Sequence, residues 1–349
     1  MRSSERAELI REPQQRRVTI PQRLLAHVEM WRIDSVFYIG LVSLAGALIA
    51  GHRGHWVLWR LACVWLAPTL GWVASLYGGD YFDRKLDALA KPGRPIPSGR
   101  MSPTTAFGGM IFNIVAGTAI AVILNPLNLV LVLLSVVMGV LYARVLKARG
   151  LAGNLIRGGP TAAAFLLGTL AVRTLPPWPL SLLALVFWMH DSASNLVGAI
   201  CDRDGDRLGG YQTVPVRRGD AGALRRLAVL DLLWITSALA SSVLLPGPAD
   251  LRAYFAFLII AIGGTAACFR MLSLAPRPVT RLHALRAHEV LVFGRLALAA
   301  GYVAAAIGLR PTLVILAPSL ICTLCGRLVM RQRDHVRLRG RWFKNYPSS

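Results

Sequence analysis

The stretch WVLWRLACVWLAPTLGWVASLYGGDYFDRKLDALAKPGRPIPSGR, Trp56 to Arg100, sets the terms for the whole chain. Its first half is an apolar run of the length that crosses about 30 Å of hydrocarbon as a helix. Its second half places three aspartates, Asp80, Asp83 and Asp87, directly at the end of that run and follows them with bases and prolines. Carboxylates at the edge of hydrocarbon are costly unless something compensates their charge. What compensates these three is the question that organises the reading.

The same pattern repeats outward from this stretch. The chain has 349 residues, 55% hydrophobic and 16% charged, with a mean hydropathy of +0.52. That is too apolar for an ordinary soluble domain. Ten hydrophobic segments can be read, near 35–50, 56–78, 104–124, 127–146, 154–173, 178–199, 224–245, 253–274, 288–308 and 311–330. Backbone groups in lipid must be bonded within the segment, and continuous strand alternation is absent, so the segments are expected to be helices. The expected fold is all-α, a polytopic transmembrane bundle around a central cavity. A basic cytoplasmic segment, 1–33, precedes a membrane domain, 34–330, and a basic tail, 331–349, follows it. Some 33 mostly polar residues come before the first apolar run, a pattern without a cleavable leader.

The net charge of +22 invites a nucleic-acid reading, but its placement argues for topology. With a cytoplasmic N-terminus and alternating spans, thirty-four of the 39 Lys and Arg fall on the cytoplasmic side, including all those from Arg144 to Arg157. Only Arg53, Arg173, Arg252 and Arg310 fall outside, and Arg60 lies within a span. This is the positive-inside asymmetry of an integral membrane protein, expected in a bacterial cell membrane with its active-site loops inside, and no nucleic-acid partner is implied. Membrane lipid is the expected neighbour of the basic tail. The cysteines carry little: Cys322 and Cys325 form a CxxC inside an apolar segment without a second ligand pair.

Only 17 residues are acidic, so their positions are informative. Four lie in HDSASNLVGAICDRDGDRLGGYQTVPVRRG, His190 to Gly219. At about 100° per residue, Asp80, Asp83 and Asp87 fall within roughly 60° of one another on a helix, as do Asp191, Asn195, Asp202 and Asp206, while Asp204 points away. Two oxygen-rich stripes thus sit at the cytoplasmic ends of the second and sixth spans and are expected to meet at one cavity mouth. Like-charged stripes repel unless cations lie between them. Oxygen-only donors suit Mg²⁺, which commonly bridges carboxylates to substrate phosphates. Arg84, Lys91, Arg94, Arg203 and Arg207 supply charge for a polyanion, so a lipid-borne diphosphate is the expected partner.

The two stretches together resemble the signatures of the UbiA superfamily of intramembrane prenyltransferases. DYFDRKLDALAKPGRPIPSG is similar to that family's first aspartate-rich motif, and DRDGDRLGGYQTVPVRRG to its second. Between them, LYARVLKARGLAGNLIRGGPTAA resembles the Tyr/Lys/Gly-Asn segment after the fourth span. The resemblance implies that Asp80, Asp83, Asp87, Asp202 and Asp206 are catalytic Mg²⁺ ligands. It implies that Arg94, Lys147 and Asn154 line the diphosphate site, and the charge and helix-face pattern adds Lys91, Asn195 and Arg207 as expected diphosphate-binding residues. It further implies about nine spans and an allylic cation captured by an aromatic or other lipophilic acceptor. Gly79 stands where the family's first motif opens with asparagine, and Ala199 where some members carry another acid, a place that Asn195 can serve. Tyr77, Tyr81, Phe165 and Trp188 are candidates to face the cation, with plain packing as their other reading. A membrane terpene cyclase and a non-enzymatic cation transporter are the competing functions. The transporter is disfavoured because the acids sit at span ends rather than at mid-span between broken helices.

Overall fold

The computed structural model describes residues 19–51, 57–173, 178–245 and 250–345, so the first half of the 1–33 segment lies outside the described residues. It is 86% helical with no strands among the described residues. We number the helices α1 (Ile20–Trp31), α2 (Ile33–Ala50), α3 (Leu58–Phe82), α4 (Arg84–Ala90), α5 (Pro103–Leu124), α6 (Asn128–Leu141), α7 (Leu151–Leu170), α8 (Trp178–Leu208), α9 (Val214–Ser241), α10 (Leu251–Leu274), α11 (Arg281–Ile307) and α12 (Leu309–Asn345). A π-helical turn, Tyr142–Leu146, extends α6. Helix α12 continues through most of the expected basic tail.

Each of the ten expected segments is helical. Among the described residues eight helices are long and apolar enough to cross a membrane, and the bent pair α1–α2 makes up to nine. The segment that falls short is α7, because Gly153, Asn154, Arg157, Gly158 and Gly159 dilute its apolar content. That composition fits its place: α7 packs on α2, α6 and α8 and is buried along most of its length. Helix α6 is the opposite case, strongly apolar and, Asn128 at its start apart, without a buried residue, as a helix with a lipid-facing side should be.

Helix α2 is apolar on every side and enclosed by α3, α7, α11 and α12. It lies against α7 at backbone contact, with glycines on both sides. A Cβ on Gly168 would stand 1.8 Å from the Ser43 carbonyl oxygen, and one on Gly46 would stand 2.0 Å from that of Phe165. Helices in lipid gain little from hiding apolar surface from one another, so such close van der Waals packing through small residues holds them together. The alanine-rich face of α11 (Ala297, Ala299, Ala300 and Ala304) is buried on the same principle. Phe187 joins the layers, stacked on Phe165 at 5.4 Å and meeting Tyr302 at 5.2 Å between centroids.

At one end the chain is laid out for the site. Helix α1 leaves α2 at 46°, with Arg32 in the left-handed region (φ 44°) at the bend. Ile20, Leu24, Leu25, Val28 and Trp31 on α1 are exposed, the surface of a helix lying along a membrane interface. Its polar side is tied down: Trp31 Nε1 donates to the Tyr77 hydroxyl at 3.0 Å, and Arg100 grips Glu29 through two bonds of 2.8 and 2.7 Å. Gly219, at φ 64°, breaks α9 after its first turn and lets Asp220 turn inward. There Asp220 accepts from Arg203 at 2.8 Å and from the Val279 backbone at 2.7 Å, fixing the α10–α11 loop to α8.

Candidate active site

The expectation that Asp80, Asp83 and Asp87 share one helical stripe is corrected by the structure. Asp83 ends α3 at φ −84°, ψ 2°, and α4 starts afresh at Arg84. The stripe therefore splits. Asp80 and Asp87, both buried, converge on Arg94, whose Nη1 donates to them at 2.6 and 2.9 Å. Asp83 turns the other way and accepts from Lys147 Nζ at 2.6 Å.

The second motif keeps its helix, since α8 runs unbroken to Leu208. Asp202 accepts from Lys91 at 2.9 Å and from Arg281 at 2.6 Å. Lys91 also stands 3.9 Å from Asp87, so one lysine holds acids of both motifs. The two motifs do meet at one mouth, as expected, and protein bases stand between them. Asp206 is 4% exposed and, among the described residues, has no base within 4 Å.

Burial and charge oppose each other at these groups. Burial pushes the Asp87 carboxyl above its ordinary value, with Arg94 and Lys91 pulling the other way. Burial lowers Lys91 below an ordinary lysine, against the pull of Asp202. Lys147 and Arg94 are also penalised by burial, yet Asp83 raises the first and Asp80 and Asp87 the second above their usual values.

Asp83 and Lys147 form the head of a cavity of about 230 Å³. It follows α3 from Asp83 back to Ala67, about 24 Å of helix axis, and is walled by α3, α5, α6 and α7. Away from its head the lining is largely apolar, with Trp72, Phe82, Met110, Met138, Ile156 and Leu167 among its residues, and Arg157 is set into it. This is the central cavity the sequence leads one to expect.

The remaining site residues separate into those that arrive and those that do not. Asn154 and Asn195 are joined by a bond of 2.8 Å, Nδ2 to Oδ1, that ties α7 to α8. Arg207 is exposed and, among the described residues, makes no ion pair with the acids. Arg84 stacks on Tyr81 and donates to its carbonyl, while Arg203 serves Asp204 and Asp220, so neither reaches the mouth. Two bases were not anticipated: Arg281 on Asp202, and Arg32, 3.4 Å from Asp80. Nothing in the sequence sets them apart from the other bases of the loops expected on the cytoplasmic side. Of the aromatic candidates, Tyr77, Phe165 and Trp188 are engaged in packing or hydrogen bonds and Tyr81 meets Phe82 edge-on and Phe107 at a tilt. Trp72, Phe82 and Tyr142 line the cavity instead.

The donor set is the kind Mg²⁺ takes: five carboxylates and no soft ligand. Among the described residues no three acidic, His or Cys side chains converge to hold a metal as they stand, because Lys91 and Arg94 occupy the spaces between acids.

A polytopic helical bundle with a charged mouth over an apolar channel is the form of an enzyme that works on membrane-borne substrates. The chain belongs to the UbiA prenyltransferase family, whose model matches residues 39–281, and it is a membrane-embedded prenyltransferase. It is 29% identical to the digeranylgeranylglyceryl phosphate synthase of Methanosarcina barkeri over 71% of this chain and 89% of that one. It is 30% identical to that of Methanopyrus kandleri over 69% and 85%. Among solved structures it resembles a digeranylgeranylglyceryl phosphate synthase, with a TM-score of 0.61 and 20% identity over 82% of this chain and 99% of that one. It also resembles a UbiA homolog from Archaeoglobus fulgidus bound to GPP and Mg²⁺, with a TM-score of 0.60 and 15% identity over 78% and 99%. These likenesses establish the fold.

Proposed function

We propose that the protein ionises an allylic prenyl diphosphate at the Asp83–Lys147 end of the cavity and transfers the prenyl group to a lipophilic acceptor carrying a glyceryl phosphate. The observation that carries this reading is the acid–base pair at the head of a largely apolar channel, with the other motif acids gathered beside it. A prenyl tail lies in such a channel out of water while its diphosphate stays at the charged end. The acceptor class follows the names of the relatives, which describe a glyceryl phosphate bearing two geranylgeranyl groups, rather than the aromatic ring expected at first.

Asp80, Asp83, Asp87, Asp202 and Asp206 are the residues that would hold Mg²⁺, which when bound neutralises charge developing on the departing diphosphate. For that the bases exchange partners. Lys147, Lys91 and Arg94 release the carboxylates and turn to phosphate oxygens, where fixed positive charge favours heterolysis of the C–O bond. The acceptor's nucleophile then bonds to the allylic carbon and loses its proton. Trp72, Phe82 and Tyr142 present aromatic faces to the cation. The bases gathered at the mouth support a cytoplasmic orientation. The relatives quoted are archaeal and lend no support to the bacterial membrane expected from the sequence.

The test is diphosphate release by purified protein in detergent, given geranyl, farnesyl or geranylgeranyl diphosphate, with and without Mg²⁺ and a prenylglyceryl phosphate, with products identified by mass spectrometry. Mg²⁺-dependent release with a doubly prenylated product is expected. A hydrocarbon or terpene alcohol formed without acceptor would make the protein a cyclase, and no release under any condition would refute the reading.

A further inference from the structure

Two bases line the cavity, Lys147 and Arg157, and they are held differently. Lys147 donates to Asp83 at 2.6 Å. Arg157 has its nearest carboxylate oxygen, Asp191 Oδ2, at 3.9 Å, beyond hydrogen-bonding range. Among the described residues it makes no hydrogen bond. Its guanidinium lies over the Trp72 ring at 4.5 Å, and Asp191 behind it is buried and oriented by a 2.9 Å bond from Thr161 Oγ1. A guanidinium carries five N–H donors, and enclosing them without acceptors in an apolar channel is costly. The supports nonetheless hold the head in place, charge behind and aromatic face beneath. The planar fork that remains open to the cavity matches a phosphate or carboxylate group.

Its depth separates it from the mouth. Trp72 and Asp83 stand eleven residues apart on α3, about 16 Å along the axis, so a group over Trp72 lies well inside the channel. A diphosphate held at Asp83 and Lys147 leaves this station to a second oxyanion.

We propose that Arg157 receives an oxyanion borne by the acceptor, phosphate or carboxylate, and so selects which acceptors the enzyme uses; the inference rests on the reading of the cavity as the seat of prenyl transfer. The donor's anion then sits at one station and the acceptor's at the other, with the reacting atoms between. Asp191 is a positioning residue that aims the guanidinium.

The experiment compares wild-type protein with Arg157→Gln, Arg157→Lys and Asp191→Asn. The acceptor pairs are geranylgeranylglyceryl phosphate against its phosphate-free alcohol, and an aromatic hydroxy acid against its amide. Acceptor KM, donor KM and calorimetric acceptor affinity are read separately. Wild-type protein is expected to favour the anionic member of one pair by on the order of 10- to 100-fold, the worth of a charge-assisted bond. The preferred pair tells phosphate from carboxylate. Arg157→Gln is expected to erase that preference through acceptor KM while donor KM holds, Arg157→Lys to keep part of it, and Asp191→Asn to weaken it without abolishing it. Equal treatment of both members by wild-type protein would overturn the proposal, as would a donor KM that rises in step with acceptor KM in Arg157→Gln. Should the glutamine variant not fold, wild-type discrimination and the lysine variant decide. Absence of diphosphate release from wild-type protein would refute the prenyl-transfer reading instead, and calorimetry on the same acceptor pairs would still judge Arg157.

Discussion

Lys147→Met strands Asp83 at the head of an apolar cavity, and the size of the loss can be worked from the pair. The charges are 2.6 Å apart, and the side chains are 16% and 23% exposed. At an effective dielectric of 20, unit charges at that distance attract by about 6 kcal/mol. Desolvation of both ions and their partial exposure cancel much of this, leaving about 2–3 kcal/mol lost in either single variant, Lys147→Met or Asp83→Asn. Removing both partners strands neither, so the double variant should recover most of that loss and the two single effects should be strongly non-additive. Activity should not follow stability. If Lys147 turns to the diphosphate and Asp83 to the metal, each single variant loses about 10²- to 10³-fold in turnover and the double variant regains none. Thermal unfolding in detergent and Mg²⁺-dependent diphosphate release from geranylgeranyl diphosphate read the two sides of the cycle. A double variant that recovers activity along with stability would show the pair to be purely structural and would refute the reasoning.

Three further outcomes follow from single positions. Asp202→Ala should cost at least 10²-fold in diphosphate release while leaving the fold intact by circular dichroism, since it removes a motif acid and frees Lys91 and Arg281. Gly79→Asn meets no atom within 4 Å of its new Cβ, and titration of activity with Mg²⁺ should show tighter metal dependence, as an added oxygen donor would give. Gly168→Leu forces α2 and α7 apart at the Ser43 carbonyl and should lower stability by at least about 3 kcal/mol, measured as loss of folded protein in a detergent melt.

The acids and the spans were legible because both rest on a steep cost: long apolar runs must be helices in lipid, and carboxylates at their ends require a reason. The break at Asp83 was not legible, because nothing local ends α3 there, and α4 takes its direction from packing on α8. Arg157 was read as one more cytoplasmic base. It in fact lines the cavity, and only the approach of α7 to α3 beneath it reveals that. Helix α7 itself falls below the hydropathy of a span for the same reason, since the residues that dilute it pack inside the bundle. The cavity aromatics were missed at Trp72 and Phe82 because which face of α3 looks inward is set by α5 and α7, not by the apolar pattern of a helix hydrophobic on most sides.

The charge balance at the mouth carries one last prediction. Asp80, Asp83, Asp87, Asp202 and Asp206 face Arg32, Lys91, Arg94, Lys147 and Arg281, so the acids and bases are equal in number and largely neutralise one another. Mg²⁺ arriving alone must take carboxylates from these bases and leave cations unpaired near hydrocarbon. A diphosphate arriving alone must take the bases and strand the acids. Each ligand supplies what the other displaces, so together they replace one set of pairs with two. Binding should therefore be cooperative, and by linkage each ligand must strengthen the other by the same factor, of the order of 5- to 150-fold for a coupling of this kind. Calorimetry with Mg²⁺ and a non-ionising thio-analogue of geranylgeranyl diphosphate, each titrated with and without the other, measures both halves of that equality. If the two bind independently, the bases do not exchange partners, and the carboxylates are structural ion-pair members rather than metal ligands.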